Sequence, residues 1–293
     1  MSRPQPLLGV YAGLQTAMKA MNLGGATSQT LNADQQSSLL THLDEASRGF
    51  ERETMRFFFP YVTTNLYRWP SYQPQATWTL WTEEDILAVT TLQAQATGIG
   101  AVPITLTHYF LEPQWAGPPY NRIEVDLSSN DVYSSGPTPQ RSISVLGQWG
   151  FGNATKAAGT ETGLTTTTAT TVTVSTPLLI DTGDVLLVDA EAIYVAGGGG
   201  TNTLTVQRGV NGTTAATHSD NAALSKYIAP ADVARIVMQH AVSGYLEEQA
   251  AYVPEAWGKS ESASQSMGSA HGTLLDKRLE VIERYARVRT AVV

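Results

Sequence analysis

Hydrophobic positions recur at helical spacing in the first part of the chain, between about residues 8 and 60. The intervals of four, three, four and seven residues place one apolar set on a single face of an α-helix: Leu39, Leu43, Ala46, Phe50 and Phe57. Asn32 or Asp34 is a suitable N-cap, and Pro60 ends the run. A shorter helix from about Gly13 to Leu23 precedes it and stops at a double glycine.

From about residue 61 to residue 152 the pattern changes to that of strands. Short segments rich in β-branched and aromatic residues are separated by Pro, Gly and Asn clusters; they cover residues 63–69, 85–93, 108–111, 122–127 and 142–149. Residues 121–127 and 141–146 alternate between polar and apolar positions. This alternation is typical of half-buried antiparallel strands.

The composition shifts after Gly152, and residues 154–228 are dominated by Thr, Ala, Gly and Val. Two strand-like runs, at 185–195 and 203–206, flank the four glycines Gly197–Gly200. A disordered linker could share this composition. The interleaved β-branched residues of Thr171–Val174 favour a strand instead, so the segment is interpreted as an inserted β domain.

Helical spacing returns near Pro230, which suits a first helical position. The apolar stripe of this helix consists of Val233, Ile236, Val237, Ala241 and Gly244, and Pro254 closes it. A Ser/Gly-rich stretch at 260–272 predicts a flexible linker. An amphipathic helix follows from Leu274 to about Arg289; its apolar face is Leu275, Leu279, Ile282 and Ala286.

Together these patterns predict an α+β fold in four parts. Residues 1–153 form a helical core with an antiparallel β section, and residues 154–228 form a small all-β insertion. Residues 229–258 return to the core as a helix. Residues 259–293 are the linker and a C-terminal helical arm.

Charge and composition narrow the function classes. Charged residues make up 15% of the chain, below the usual quarter, which fits a surface covered by neighbouring copies. The net charge of −8 argues against general nucleic-acid binding but allows a duplex to slide past without sticking. The absence of cysteine excludes disulfides, thiol catalysis and cysteine-ligated zinc. We expect no membrane partner, because no signal-peptide pattern or apolar run of about 18–20 residues is present.

The most enzyme-like string is Asp181-Thr-Gly183, which is similar to the active-site loop of aspartic proteases. A single copy would require a homodimer, and Asp184 would add a third carboxylate to the pair. A protease would lose its cleavage activity on Asp181→Asn, whereas a simple turn between two strands has no activity to lose. The turn is the favoured interpretation.

No other pattern indicates chemistry. The five histidines are scattered without metal-binding spacing, and Asp181, Asp184 and Asp189 do not have the spacing of a calcium loop. Phosphate-loop, dinucleotide and serine-hydrolase motifs are missing from the sequence. We therefore expect no enzyme activity, no cofactor and no metal site.

The terminal helix is basic on an acidic protein. Its cations, Lys277, Arg278, Arg284, Arg287 and Arg289, outnumber its acids, Asp276, Glu280 and Glu283. Two interpretations are open. The helix could fold back on its own domain, or it could be an arm whose apolar stripe docks into a groove of a partner.

The order of several segments resembles the ring-forming head-to-tail adaptor (connector, or head-completion) proteins of long-tailed bacteriophages. The similar segments lie within residues 11–152 and 229–250, about half the chain: Tyr11-Ala-Gly-Leu, Arg56-Phe-Phe-Phe-Pro60, Asp85-Ile-Leu-Ala-Val, Tyr109-Phe-Leu-Glu-Pro113, Pro118-Pro-Tyr-Asn-Arg-Ile-Glu124, Gly147-Gln-Trp-Gly-Phe-Gly152 and Ala229-Pro-Ala-Asp-Val-Ala-Arg235. Residues 154–228 depart from the family and resemble a small β module of phage structural proteins, through residues 183–189 and 205–215.

The resemblance implies a structural, non-enzymatic virion protein of the phage neck, assembled in the host cytoplasm. It implies a ring of twelve copies that binds the portal protein on one side and a neck or tail terminator protein on the other. DNA would pass through this ring without sequence-specific binding. The portal-binding arm would be the terminal helix, with Leu275, Leu279, Ile282, Arg284, Arg287 and Arg289.

A second function class stays open. The chain could be another phage structural component, such as a tail terminator or a decoration protein. In that case residues 154–228 would bind the capsid or a host glycan.

Overall fold

The computed structural model describes residues 7–22, 31–69, 77–251 and 275–287. The described part contains the helices α1 (Leu14–Asn22), α2 (Ala33–Thr54), α3 (Ala231–Ala251) and α4 (residues 275–285). Its strands are β1 (Tyr61–Tyr67), β2 (Thr79–Ala94), β3 (Ile104–Leu106), β4 (Tyr109–Glu112), β5 (Tyr120–Val125), β6 (Ile143–Trp149), β7 (Thr155–Thr162), β8 (Thr171–Val174), β9 (Val185–Val188), β10 (Glu191–Gly197), β11 (Thr203–Gln207) and β12 (Ala222–Tyr227). The predicted α+β class with an all-β insertion is confirmed.

Helix α2 begins with a reciprocal cap. The Asn32 side chain accepts from the Gln35 backbone N–H at 2.9 Å, and the Gln35 side chain accepts from the Asn32 N–H at 3.0 Å. The helix ends earlier than the apolar spacing predicts, because Met55 adopts a left-handed conformation with φ of 55°. Phe57 therefore lies beyond the helix and not on its apolar face.

The middle of the chain forms one antiparallel sheet in the order β1-β6-β2-β5-β4, with β3 paired to the far end of β2. The predicted alternation is clearest in β6, where every second residue from Ile143 to Trp149 is buried. These residues belong to a core on the inner face of the sheet, which surrounds the fully buried Trp149. Strand β3 is not predicted by the sequence pattern, and β2 begins at Thr79, six residues before the predicted start at Asp85.

Strands β7–β12 form a closed barrel in the order β10-β11-β8-β7-β12-β9. The first and last residues of the barrel lie side by side. Thr155 pairs with Tyr227, and the Ile228 N–H donates to the Ala154 carbonyl at 3.0 Å. The run 185–195, predicted as a single strand-like segment, is a hairpin of β9 and β10. It turns at Asp189, where φ is 52°.

The barrel shares a core with the helices. Val185, Ala192, Val210 and Tyr227 pack in the same cluster as the buried faces of α1, α2 and α3. Val233, Ile236, Val237 and Ala241 of the predicted stripe are buried in that cluster. The barrel and the helical core are therefore held together by buried apolar surface, which is the main stabilising contribution in such contacts.

A tight turn of the barrel also hydrogen-bonds to the sheet and to the N-terminal segment. The Asn211 carbonyl accepts from the Val62 N–H at 2.8 Å. The Asn211 side chain accepts from the Leu8 N–H at 2.8 Å and donates to the Leu8 carbonyl at 3.1 Å. The Asn211-Gly212 turn thus joins the barrel, the sheet and the N-terminal segment.

Candidate partner-binding surfaces

Helix α4 packs against the helical core of its own chain. Val281 is buried in this core, and Ile282 and Tyr285 are half-buried against it. The Tyr285 ring meets Phe58 and Phe151 edge-on, with centroids 5.5 and 5.3 Å apart. Of the two interpretations that the sequence leaves open, the structure shows the helix folded back.

The predicted apolar stripe of α4 is divided between two environments. Ile282 contacts the core, whereas Leu275 and Leu279 are 44% and 57% exposed, one helical turn apart. The predicted buried face was wrong in one respect. The side of α4 that packs against the core is centred on Val281, whereas the sequence predicted the side that carries Leu275, Leu279, Ile282 and Ala286. Two large apolar side chains of the proposed arm therefore stay available to a partner.

The arginines of α4 are engaged within the chain. Arg284 pairs with Asp232 at 2.9 Å and with Glu280 at 3.2 Å. Arg278 pairs with Glu53 at 2.8 Å. Arg289 and the predicted linker 260–272 lie outside the described residues.

Arg287 fixes the end of the helix at a buried carboxylate. Its guanidinium lies 3.9 Å from Asp85 and donates to the Thr82 carbonyl at 3.1 Å, and its backbone N–H donates to the Thr54 carbonyl at 3.0 Å. Arg56 pairs with the same carboxylate at 3.0 Å. Burial raises the pKa of Asp85, and the two guanidiniums oppose that shift. The Asp85 carboxylate of β2 therefore connects α4, through Arg287, with the segment after α2, through Arg56.

The Asp181-Thr-Gly183 string forms a structural turn. The Asp181 carboxylate accepts from the backbone N–H of Gln15 in the first turn of α1, where a carboxylate stabilises a helix. Asp184 accepts from the Asp181 N–H at 2.6 Å and from Lys226 at 2.9 Å. Burial raises the pKa of Asp184 to about 6, with Lys226 opposing the shift. Asp181 thus links the barrel to α1, whereas Asp184 ties two parts of the barrel together.

A buried ionic network in the barrel was missed by the sequence analysis. Glu191 accepts from Arg208 at 2.7 Å through both oxygens, from the Gly209 and Ala216 N–H groups at 2.9 Å, and bonds to His218 at 2.9 Å. The other ring nitrogen of His218 lies 2.8 Å from Asp189. The side chains of Glu191 and His218 are 1% and 2% exposed. The network fastens the connection between β11 and β12 onto the barrel.

The network predicts a specific pH dependence of stability. Burial alone would lower the pKa of His218, but hydrogen bonds to Glu191 and Asp189 raise it above 6.5. Burial would raise the pKa of Glu191, but bonds from Arg208 and Ala216 lower it to about 2. The histidine contribution is complete below pH 6.5 and falls as pH rises through its folded pKa. The glutamate contribution is complete above pH 4.5 and falls toward pH 2.

We therefore expect the network to stabilise the barrel most between about pH 4.5 and 6.5. The free energy of unfolding of the wild type should decline above pH 6.5, and that of His218→Gln should not show this decline. Denaturant titrations of both proteins at a series of pH values measure the difference. Parallel profiles for the two proteins would contradict the assigned role of His218.

Exposed apolar side chains are frequent in β3, β4 and the loops that flank them. Seven of the sixteen large hydrophobic side chains that are exposed in the described part of the chain lie between residues 99 and 132: Ile99, Val102, Ile104, Phe110, Trp115, Leu127 and Val132. Ile99 and Trp115 are almost fully exposed, at 101% and 88%. A concentration of this kind marks an interaction surface. Strand alternation in the sequence could have indicated the exposure of Phe110, because Phe110 lies between Tyr109 and Leu111 of β4, whose side chains face the core.

The described residues contain no cluster of three or more His, Asp or Glu side chains arranged to hold a metal ion. Within the same residues, no helix is long and apolar enough to cross a membrane. The ionisable side chains with the strongest burial are engaged in internal contacts.

The chain was compared with known proteins in sequence and in structure. No family model matches it, and no curated protein matches it in sequence. Among solved structures, it is similar to a chain from the neck of an empty GTA particle, computed with C6 symmetry. The two share 16% sequence identity with a TM-score of 0.33, over 52% of this chain and 70% of the other. A TM-score of this size does not establish a common fold.

Proposed function

We propose that the chain is a head-to-tail adaptor of a tailed bacteriophage, one subunit of a ring between the portal and the tail. One observation carries the proposal. The segments that resemble the adaptor family are separated in sequence by the barrel, yet α2 and α3 pack in one core next to the sheet. The barrel begins and ends at the hydrogen-bonded pair Ala154 and Ile228, as an insertion into an existing fold would.

The surface supports an assembly role. Few residues are charged, and many large apolar side chains around β3 and β4 are exposed. In a closed ring each subunit buries two different faces against its neighbours, which would cover such side chains. The net charge of −8 suits a channel through which DNA slides without specific binding.

In this proposal α4 is the portal-binding arm. Leu275 and Leu279 make the contact, because they are exposed on the side of α4 away from the core. Ile282, Arg284 and Arg287 hold the helix on its own subunit. Arg289, which lies outside the described residues, belongs to the same proposed arm. The opposite side of the ring meets a neck or tail terminator protein, and the complete ring belongs to the virion neck after assembly in the host cytoplasm.

Leu275→Glu combined with Leu279→Glu is expected to weaken binding to the portal protein from the same genome by at least about a hundredfold. Each leucine that is buried in a contact contributes roughly 1.5–3 kcal/mol, and each tenfold in affinity corresponds to about 1.4 kcal/mol. The fold should be unaffected, since both side chains are exposed. Titration binding measures affinity, and electron microscopy of the mixture shows whether twelve-fold rings form.

A matched control is Leu178→Glu with Leu179→Glu, which changes two exposed leucines of the barrel. This variant should bind the portal as the wild type does. Deleting residues 273–293 is a less specific test, because it also removes Val281 and Tyr285 from the core. Wild-type affinity in the α4 variant would refute the arm. Wild-type protein that ignores the portal would refute the adaptor and direct attention to capsid or glycan binding by residues 154–228.

A further inference from the structure

We infer that neighbouring copies in the ring join their sheets edge to edge, with β4 of one copy adding in parallel to β1 of the next. The inference rests on the proposed function for the existence of the ring. It adds the surface and the geometry by which the copies bind.

One outer strand is β1. The Val62 N–H donates to Asn211 of the barrel, so it points away from β6. Because alternate residues of a strand point the same way, the backbone groups of Thr64 and Leu66 also face away from β6. Asn211-Gly212 covers Val62. Among the residues that the structure describes, the outward backbone groups of Thr64 and Leu66 have no hydrogen-bond partner.

The other outer strand is β4. The Asp126 N–H donates to the His108 carbonyl at 3.0 Å, and the β4–β5 register continues this pattern to Phe110 and Glu112. The backbone groups of Tyr109 and Leu111 therefore face away from β5. Within the described ranges they also lack a hydrogen-bond partner. The sheet thus has two open edges, each with unpaired donors and acceptors.

Strand direction favours a parallel junction. Every neighbouring pair in the order β1-β6-β2-β5-β4 is antiparallel, so β1 and β4 run in the same direction. A ring whose axis runs along the strands relates its copies by a rotation that keeps strand direction. Placing β4 of one copy beside β1 of the next then forms a parallel pair.

The side-chain faces agree with this junction. In a parallel pair a residue bonds to the residues before and after the one opposite to it. Thr64 bonded to Tyr109 and Leu111 therefore stands opposite Phe110. Thr64 and Phe110 are both exposed on the outer face of the sheet, whereas Tyr109 and Leu111 pack on the inner core. An antiparallel pair would set Thr64 directly opposite an inner-face residue and turn the neighbouring sheet over.

The surfaces beside the two edges differ in form. A groove of about 320 Å³ lies along β1, lined by Leu66 and by the charged side chains of Glu83, Glu84 and Arg141. Beside the other edge Phe110 is 45% exposed, and Trp115, in the turn after β4, is 88% exposed. Insertion of these aromatic side chains beside Leu66 of the next copy would bury apolar surface from both copies. Because groove and aromatics lie on opposite edges of one sheet, the contact is heterologous and repeats until a ring closes.

Engineered disulfides test the junction directly, because the chain contains no cysteine. The variants are Thr64→Cys with Phe110→Cys, and Leu66→Cys with Glu112→Cys. Opposite residues of adjacent strands lie within the Cα separation that a disulfide spans. On mild oxidation of portal-bound rings, we expect both variants to give a ladder of covalent multimers in non-reducing gels. Each single cysteine variant should stay monomeric, since a heterologous contact does not bring identical positions together.

Two further double-cysteine variants serve as controls: one matches the exposure of the test pairs, and the other lies at the same two edges. Leu178→Cys with Leu246→Cys changes two exposed leucines outside the sheet, and Thr64→Cys with Leu111→Cys combines opposite faces; neither should give a ladder. Rings seen on the portal without a ladder from either test pair would overturn the junction and leave the adaptor function standing. A ladder from the opposite-face pair alone would overturn the parallel arrangement. A ladder in protein that ignores the portal would support the junction and refute the adaptor function.

Discussion

Glu191→Gln is expected to lower the free energy of unfolding by about 3–5 kcal/mol, the usual result of removing one partner from a buried ion pair. The Glu191 carboxylate receives bonds from Arg208, His218 and two backbone N–H groups. The Arg208 side chain is 5% exposed, so its charge would be left without compensation in a poorly solvated place. Denaturant unfolding at pH 6, followed by circular dichroism, measures the loss.

Glu161→Gln is the matched control in the same barrel. Glu161 is 1% exposed, but one of its carboxylate oxygens has no hydrogen-bond partner among the described residues. Burial raises the pKa of this carboxyl group, so its charge is already disfavoured. We expect this substitution to change stability by less than about 1 kcal/mol. Equal losses in the two variants would mean that burial of any glutamate matters and that the network does not.

The network bears on the proposed function through the rigidity of the barrel. Arg208 and His218 belong to the connection between β11 and β12, which also carries the Asn211-Gly212 turn against β1. A connection held by a buried carboxylate keeps that turn in place. The barrel is therefore a fixed part of each subunit, placed beside the edge that we propose to meet the next copy.

Local pattern was sufficient to predict much of the fold. The apolar spacing of α2 and the alternation in β6 are read from neighbouring residues, and the structure shows both. Of the two N-caps that the sequence allows, Asn32 or Asp34, the structure shows Asn32. The end of α2 was not predictable in this way. It depends on the backbone of Met55, a residue that rarely takes a left-handed conformation.

The interaction surfaces depend on contacts that local pattern does not contain. Glu191 and His218 are far apart in sequence and meet only because the barrel closes. In α4, apolar residues occur on more than one side of the helix, so periodicity alone could not identify its buried face. The rings of Phe58 and Phe151 decide it by packing against Tyr285.

Gly212→Ala is expected to destabilise the chain by at least about 2 kcal/mol and to loosen the barrel from β1. Gly212 has φ of +80°, where an alanine is strained by roughly 1–2 kcal/mol. An added Cβ would also lie well under 3.0 Å from the Val62 carbonyl oxygen, a backbone atom that cannot rotate away. The turn must then move and break the bonds from Asn211 to Val62 and Leu8.

Gly200→Ala separates the effect of backbone strain from that of the clash with Val62. Gly200 has the same φ of +80°, and an added Cβ would meet nothing closer than 4.0 Å. This control should show the backbone strain alone. Thermal unfolding gives the difference in stability, and hydrogen exchange at the Val62 and Leu8 amides reports whether the barrel has separated. Faster exchange at both amides in Gly212→Ala, and not in Gly200→Ala, is the expected result. If the two variants lose the same stability with both amides still protected, the Asn211-Gly212 turn does not hold the barrel on the sheet, and the apolar core alone joins them.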